Sequence, residues 1–457
     1  MKPGDLKKEL DAFLEKHPET RFMEPLIADM NGILRGKRIG AGDFAKAFKN
    51  GMNMCAATTI LDTLGNTFDT TPYGLRDGDP DGMAMAVTGS LAPVPWATHP
   101  TAQVLLEMTN LDGSPNQNDP RNVLRNALKP LTDMGMKPVM ATELEFYLVE
   151  HDGKRYQPRM PRIPGSDLPQ SGMQYSILED LYEVDDFLTD LDAICTAQNI
   201  PAGAVVSEFS PGQFEVNLHH VDDPVLACDH AVLLKRAVKA AAAKNGLAAT
   251  FMAKPFMETA GSGLHIHISV LDEEGNNIFA GESADGPWSD QLRHAIGGLG
   301  ETMVESMAIF APNANSYRRH SPGNFVPASP DWGPNHRGVA LRIPLASAAN
   351  TRVEHRVAGA DANPYLVVAA ILAGIHHGIS KQSEPRPMTP ERAELKYEVT
   401  VPSRWPTALD AFDAGEILPD YLGRDYHELY LMCRSEEETN YNAEIPDRDF
   451  DWYLRAV

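Results

Sequence analysis

The sequence predicts an α+β protein of two unequal domains, a small sheet-based unit over residues 1–115 and a larger unit over 116–457. Two observations carry this reading. Short strand-like runs broken by Gly, Pro and Asp fill the first 115 residues. From 116 onward, strand-like segments with two distinct faces alternate with longer amphipathic helices. Length alone allows about three domains or two large ones, with ample chain for a sizeable core.

Taken in order, residues 4–16 place Leu6, Leu10, Phe13 and Leu14 at helical spacing, so a short amphipathic helix should end near His17-Pro18. FMEPLIADMNG reads as a strand with a turn at Asn31-Gly32, and ILRGKRI as its partner. Residues 67–100 read as loops and short strands, and VLLEMTNLDG as a further strand and turn. At 116 the character changes. Asp119 is an N-cap candidate, Pro120 suits the first helical turn, and Val123, Leu124, Ala127 and Leu128 form an apolar face. VDDFLTDLDAICTAQ and PVLACDHAVLLKRAVKAAAAKNG are further helices. The longest apolar stretch, 365–375, is too short to span a bilayer.

Hydrophobic residues make up 43% of the chain and charged residues 23%, which excludes disordered, collagen-like and membrane-embedded classes. Lys and Arg number 40 against 63 Asp and Glu, a formal charge of -23. Such a field repels phosphate backbones, so no nucleic-acid partner is expected. It attracts cations, meaning metals or amines, although acidity by itself more often marks only a solvated surface. Four cysteines at 55, 195, 228 and 433 lack C-x-x-C spacing and read as reduced core residues of a cytoplasmic protein. The charged, helical N-terminus does not read as a signal peptide, and no membrane partner is expected.

Four strand-like segments alternate an apolar face with a face of potential ligands. In ATELEFYLV, Glu143 and Glu145 point one way, Leu144 and Phe146 the other. In VVSEFSPGQFEVNLHH, Glu208 precedes a Ser-Pro-Gly turn, and Glu215, Asn217 and His219 share a face. In AGSGLHIHISV, His265, His267 and Ser269 alternate with apolar residues, and the Gly-Ser-Gly lead-in suggests a backbone closely approached by a ligand. In NTRVEHRVAGADANPYL, Arg352, Glu354 and Arg356 share a face, which is either a salt-bridge ladder or a metal ligand beside anion-binding arginines. Five glutamates and one histidine together suit Mg²⁺ or Mn²⁺ better than zinc. Arg318, Arg319, Arg337 and Arg342 lie in nearby segments, and guanidinium forks suit phosphate and carboxylate. Metals with arginines imply phosphoryl transfer. GILRGKR lacks the spacing and the Ser/Thr of a Walker A motif.

ATELEFYL, SPGQFEVNL, TFMAKPF…GSGLHIHISV, PNANSYRRHSPG, NHRGVALRIP and TRVEHRVAGADANPYL resemble, in order and spacing, the signature segments of the glutamine synthetase family. The likeness also takes in DMNGILRGKRI and so runs over nearly the whole chain. The resemblance implies a β-grasp-like N-terminal domain and a catalytic domain with an open barrel of strands. It implies two stacked hexameric rings with active sites at subunit junctions. Carried over by motif, Glu145, Glu208 and Glu215 match the ligands of one metal, and Glu143, His265 and Glu354 those of a second near the nucleotide phosphates. Arg319 and Arg356 match arginines holding glutamate, with Gly261 lending backbone. Arg337 and Arg342 match groups that stabilise the transferred phosphate, and His267 and Ser269 positions near ATP. The implied reaction activates glutamate as γ-glutamyl phosphate, which an amine nitrogen then attacks.

Two departures concern that nitrogen. Ammonia-using members carry a flap glutamate in PGYEAP; here PGNFVP puts Phe325 at that position. They also carry an ammonium-binding aspartate in an Asp-Gly-Ser-Ser segment, where GMNMCAATTI places Cys55 or Ala56. Losing acids weakens the hold on a bare ammonium ion, and an aromatic can line an alkyl pocket or attract an organic ammonium. The expected activity is γ-glutamylation of an organic amine, a polyamine such as putrescine first. A small or aromatic monoamine (methylamine, isopropylamine, aniline) and ammonia itself are the alternatives. A non-catalytic ring scaffold is the reading from another class, and retention of all six candidate ligands argues against it. The tyrosine-containing adenylylation loop of some members is not recognisable between Lys381 and Pro406.

Overall fold

The computed structural model describes residues 3–170, 172, 175–283, 286–320, 325–394 and 399–457. Its N-terminal part is a seven-stranded sheet. The main path runs Leu34–Gly36, Phe22–Ala28, Thr101–Thr109, Asp81–Ala86, Met52–Cys55, with Phe22–Ala28 and Thr101–Thr109 parallel at its centre and the other neighbours antiparallel. The two-residue period of the strands sorts their side chains. Met23, Ile27, Val104 and Leu106 face the helices Pro3–Lys16 and Phe44–Asn50, burying Leu6, Leu10, Phe44 and Phe48 in a small core. Leu26, Ala28 and Leu105 face the opposite way, into the main core. The expected turn at Asn31-Gly32 is present, and Gly32 has a φ of +75°, a conformation costly to other residues.

The expected helices form where capping chemistry starts them. Asp119 accepts from the Arg121 amide at 2.8 Å and, through its other oxygen, from the Met108 amide at 2.7 Å. It thereby ties the helix Pro120–Asp133 to the last N-terminal strand. Asp223 and Asn363 cap Pro224–Lys244 and Pro364–Lys381 in the same Asx-Pro manner. The apolar stretch 365–375 lies wholly buried inside the last of these helices. Among the described residues, no helix is long and apolar enough to cross a membrane.

A nine-stranded sheet carries the ligand-bearing segments. Its path is Ala202–Ser207, Gln213–Leu218, Lys137–His151, Leu264–Leu271, Val353–His355, Leu341–Ile343, Trp332–Pro334. Among the described residues its end strands do not pair with each other, so the sheet stays open, as expected. Leu144, Phe146, Val216, Leu264 and Ile266 pack on the helical side. The alternate residues line the other face. Three cysteines are buried as expected, but Cys55 is not a core residue: it is partly exposed at a strand end, with its thiol against the Asp79 carboxylate. Of the segments read above, 321–324 in the flap stretch and 395–398 in the 381–406 stretch lie outside the described residues.

Candidate active site

Register brings the ligand face together. Glu145 lies opposite Glu215, Glu143 lies between Asn217 and His265, and Glu354 lies between His267 and Arg342. Five strands thus supply one continuous polar row, because directly paired residues share a face. Glu208 joins from the turn after Ala202–Ser207, where its amide bonds the Gln213 carbonyl at 2.9 Å. Three groups each hold their ligand atoms within 4.8 Å of one another: Glu145–Glu208–Glu215, Glu143–Glu215–His265, and Glu143–His267–Glu354. The first is the triad expected from sequence. The expected second triad, Glu143, His265 and Glu354, is divided between the other two groups, which share Glu143.

Electrostatics separate the carboxylates. Burial raises Glu215, and its neighbours Glu143, Glu145 and Glu208 raise it further, to about 9. Burial and then Glu145 raise Glu208 to about 7. Burial also works to raise Glu143, but His265 and His267 hold it well below the usual carboxylate range. For Glu354 burial is again opposed, chiefly by Arg356, which leaves it at about 2. Its carboxylate is clamped between Arg342, at 2.5 Å, and Arg356. Crowded acids that retain protons are what a missing positive charge produces. Among the described residues, no lysine or arginine nitrogen comes within 4.0 Å of Glu145, Glu208 or Glu215, where the nearest ring nitrogens are those of His265. A donor set of carboxylate oxygens with imidazole fits hard divalent ions.

The other expected residues fall around this cluster. Arg319 is buried, donates to the Val357 carbonyl at 2.7 Å, and lies against the glycines before His265. A Cβ on Gly261 would meet Arg319 Cγ at 2.7 Å, and one on Gly263 would meet Arg319 Nη2 and His265 Nε2 at 2.8 Å. The Gly-Ser-Gly lead-in is therefore a close approach by an arginine of this chain. Gly263 also donates its amide to Glu145 at 2.7 Å. Arg337 is exposed at the rim and acts electrostatically on Glu208. His267 sits on the ligand face, 2.9 Å from Glu143, and half-buried Ser269 lies farther along the same strand opposite Val139. Phe325 is half-exposed with φ +54°, and no hydrogen bond or ion pair links it or Cys55 to the cluster among the described residues. Arg318, grouped with the site arginines above, instead donates to the Tyr441 hydroxyl at 3.1 Å. Sequence reasoning missed Gln213, which donates to the Gly261 carbonyl at 3.0 Å, and Asn335, which receives Arg342 at 3.0 Å. It also missed Tyr175, whose hydroxyl is raised by burial and then by Glu208. Gln213 and Asn335 each had a signal, lying inside the SPGQFEVNL and NHRGVALRIP segments, and Tyr175 had none.

An open sheet here gathers five carboxylates, two imidazoles and a set of arginines on one face, a set that could hold divalent ions beside groups suited to anions. The chain belongs to the glutamine synthetase family: the family's "Glutamine synthetase, catalytic domain" matches residues 117–453. It is 41% identical to the gamma-glutamylputrescine synthetase of Escherichia coli, over 98% of this chain and 94% of that protein. It is 34% identical to a glutamate–isopropylamine ligase of a Pseudomonas species, over 97% of each. The solved structure titled GmaS/ADP complex superposes with a TM-score of 0.82 at 25% identity, covering 97% of this chain and 99% of that one.

Proposed function

We propose that this chain is an ATP-dependent ligase that joins the γ-carboxyl of glutamate to an organic amine, with putrescine or another polyamine as the first choice. The observation that carries the reading is Phe325 in the flap segment of a chain whose six candidate ligands, Glu143, Glu145, Glu208, Glu215, His265 and Glu354, all fall in groups that could hold a metal ion. The similarity to a gamma-glutamylputrescine synthetase supports it. The glutamate–isopropylamine ligase supports a second reading, a small or aromatic monoamine.

Glu145, Glu208 and Glu215 would hold one Mg²⁺ or Mn²⁺, and Glu143, His265 and Glu354 another. When bound, such ions neutralise phosphate charge and polarise the transferred group. Arg319, Arg356 and the Gly261 backbone orient glutamate, and His267 and Ser269 lie along the nucleotide. The γ-carboxylate attacks the γ-phosphate of ATP, the bond to the β-phosphate oxygen breaks, and ADP leaves as γ-glutamyl phosphate forms. Arg337 and Arg342 offset charge on the transferring phosphate. The amine nitrogen then attacks the acyl carbon and phosphate leaves. Phe325 covers the amine and excludes water, which favours the amide over hydrolysis. The reading includes a domain division at 115/116, a cytoplasmic enzyme, and two stacked hexamers in which the Cys55–Ala56 region of one subunit completes the amine site of the next.

The test is phosphate release with glutamate and ATP across a panel of amines. Turnover should require an organic amine and be highest with a diamine. Ammonium supporting turnover as well as any organic amine would refute the reading, and a fully active Glu145→Ala variant would refute the metal site.

A further inference from the structure

Trp332–Pro334 is the last strand of the large sheet, and among the described residues it pairs with Leu341–Ile343 alone. A strap, residues 386–393, covers its free edge. The Thr389 amide donates to the Trp332 carbonyl at 2.8 Å, and the Trp332 indole donates to the Arg386 carbonyl at 2.7 Å. A Cβ on Gly333 would lie 2.2 Å from the Thr389 carbonyl oxygen, so glycine is what admits the strap. Just past the strand, His336 donates through Nε2 to the Ala393 carbonyl at 3.0 Å and accepts the Gly338 amide at Nδ1 at 3.1 Å, which braces the turn that carries Arg337.

Covering an edge needs backbone contacts only. The strap also offers a side chain. Glu391, in a turn closed by the Ala393 amide on the Pro390 carbonyl at 3.0 Å, accepts from Asn335 Nδ2 at 2.8 Å. Asn335 passes the contact on, because Arg342 Nη2 donates to its Oδ1 at 3.0 Å. Chemistry allows this amide one orientation. A guanidinium only donates and a carboxylate accepts, so the amide oxygen must face Arg342 and the amide nitrogen Glu391. The backbone suits the residue: Asn335 has φ +52°, a left-handed conformation in which asparagine is enriched. With Nη1 on Glu354 at 2.5 Å, the Arg342 fork is held at both tips. Two contacts fix the plane of a guanidinium, where one leaves it free to turn.

We infer that Asn335 and Glu391 are positioning residues: Glu391 orients the Asn335 amide, and the amide fixes the plane in which Arg342 meets the transferring phosphate. The inference rests on the reading that Arg342 offsets charge on that phosphate.

The test measures phosphate release by the full-length protein with glutamate, ATP and its best amine, beside the unfolding midpoint. Asn335→Gly removes the amide and suits the backbone. It should lower kcat by about tenfold to a hundredfold, as a misplacement of about 1 Å does. The KM for glutamate should stay within about twofold, because the lost interaction belongs to the transition state. Glu391→Ala should act in the same direction, and Glu391→Gln, which keeps an acceptor, should stay within about threefold of wild type. Arg342→Lys replaces the fork by one ammonium. In that background Asn335→Gly should cost less than about twofold more, since residues that act through one group do not add. Wild-type kcat in Asn335→Gly, or an equal loss in both backgrounds, would overturn the positioning role. So would a loss of kcat that parallels a fall in the unfolding midpoint, or Glu391→Gln as impaired as Glu391→Ala. Full activity in Arg342→Lys would instead overturn the reading of Arg342, and this inference with it.

Discussion

Divalent-ion binding to this protein should release protons near neutral pH, and the number can be worked from the site. Glu215 is held at about 9 by burial and three neighbouring carboxylates, and Glu208 at about 7 by burial and Glu145. At pH 7.5 the metal-free site therefore keeps nearly one proton on Glu215 and roughly a quarter on Glu208. A ligating carboxylate must be ionised, so filling the site should expel about 1.2 protons per chain. Calorimetry of Mg²⁺ or Mn²⁺ binding in buffers of different ionisation enthalpy measures this number directly. Apparent affinity should rise about tenfold per pH unit from 7 to 9 and level off above. In Glu215→Gln the release should fall to roughly a quarter of a proton. The same shift has a sign for stability. The unfolded Glu215 titrates near 4.5 and the folded one near 9, so the contribution is present below pH 4.5 and is lost as pH rises through 9. The metal-free protein should lose about 1.4 kcal/mol per pH unit from this group across that window, relative to Glu215→Gln. No proton release at pH 7.5, or equal release in Glu215→Gln, would refute the reasoning.

Three further outcomes are expected. Glu354→Gln leaves Arg342 and Arg356 without the buried carboxylate between them; it should cost about 3–5 kcal/mol in urea unfolding, as breaking a buried ion pair does. Gly263→Ala puts a methyl 2.8 Å from both Arg319 and His265 and should raise the KM for glutamate more than it lowers the unfolding midpoint, read by steady-state kinetics and thermal melts. Phe325→Glu restores an acid at the flap and should raise turnover with ammonium relative to the best organic amine by about tenfold, the equivalent of one 1.4 kcal/mol charge contact; an unchanged amine preference in the panel assay would count against a role for Phe325.

Much of the molecule was legible before any fold was in view, because the relevant signals are local. Strand pleat gives a two-residue period, so Glu143 and Glu145 could be placed on one face and Leu144 and Phe146 on the other from adjacent positions alone. Asp119-Pro120 announced a helix start through chemistry confined to three residues. The family motifs extended this to roles, since each lies within a short window. What local pattern could not supply was adjacency. Glu143 meets His265 and Asn217 across two different neighbouring strands, and Glu354 meets His267 on the strand that carries His265 and Arg342 on another. Those pairings are settled by which strands bury their apolar faces together against the helices, a property of the whole sheet. For the same reason Arg318 and Arg319, adjacent in sequence, part company, one to Tyr441 at the surface and one beneath the glycines of the site. Cys55 likewise turns out toward Asp79 because it stands at a strand end. The sequence by itself determined the elements, their two faces and the kinds of ligand available. Only the tertiary structure decided which carboxylates crowd and keep their protons, and that Arg352 reaches His267, because burial and charge proximity arise between residues distant along the chain.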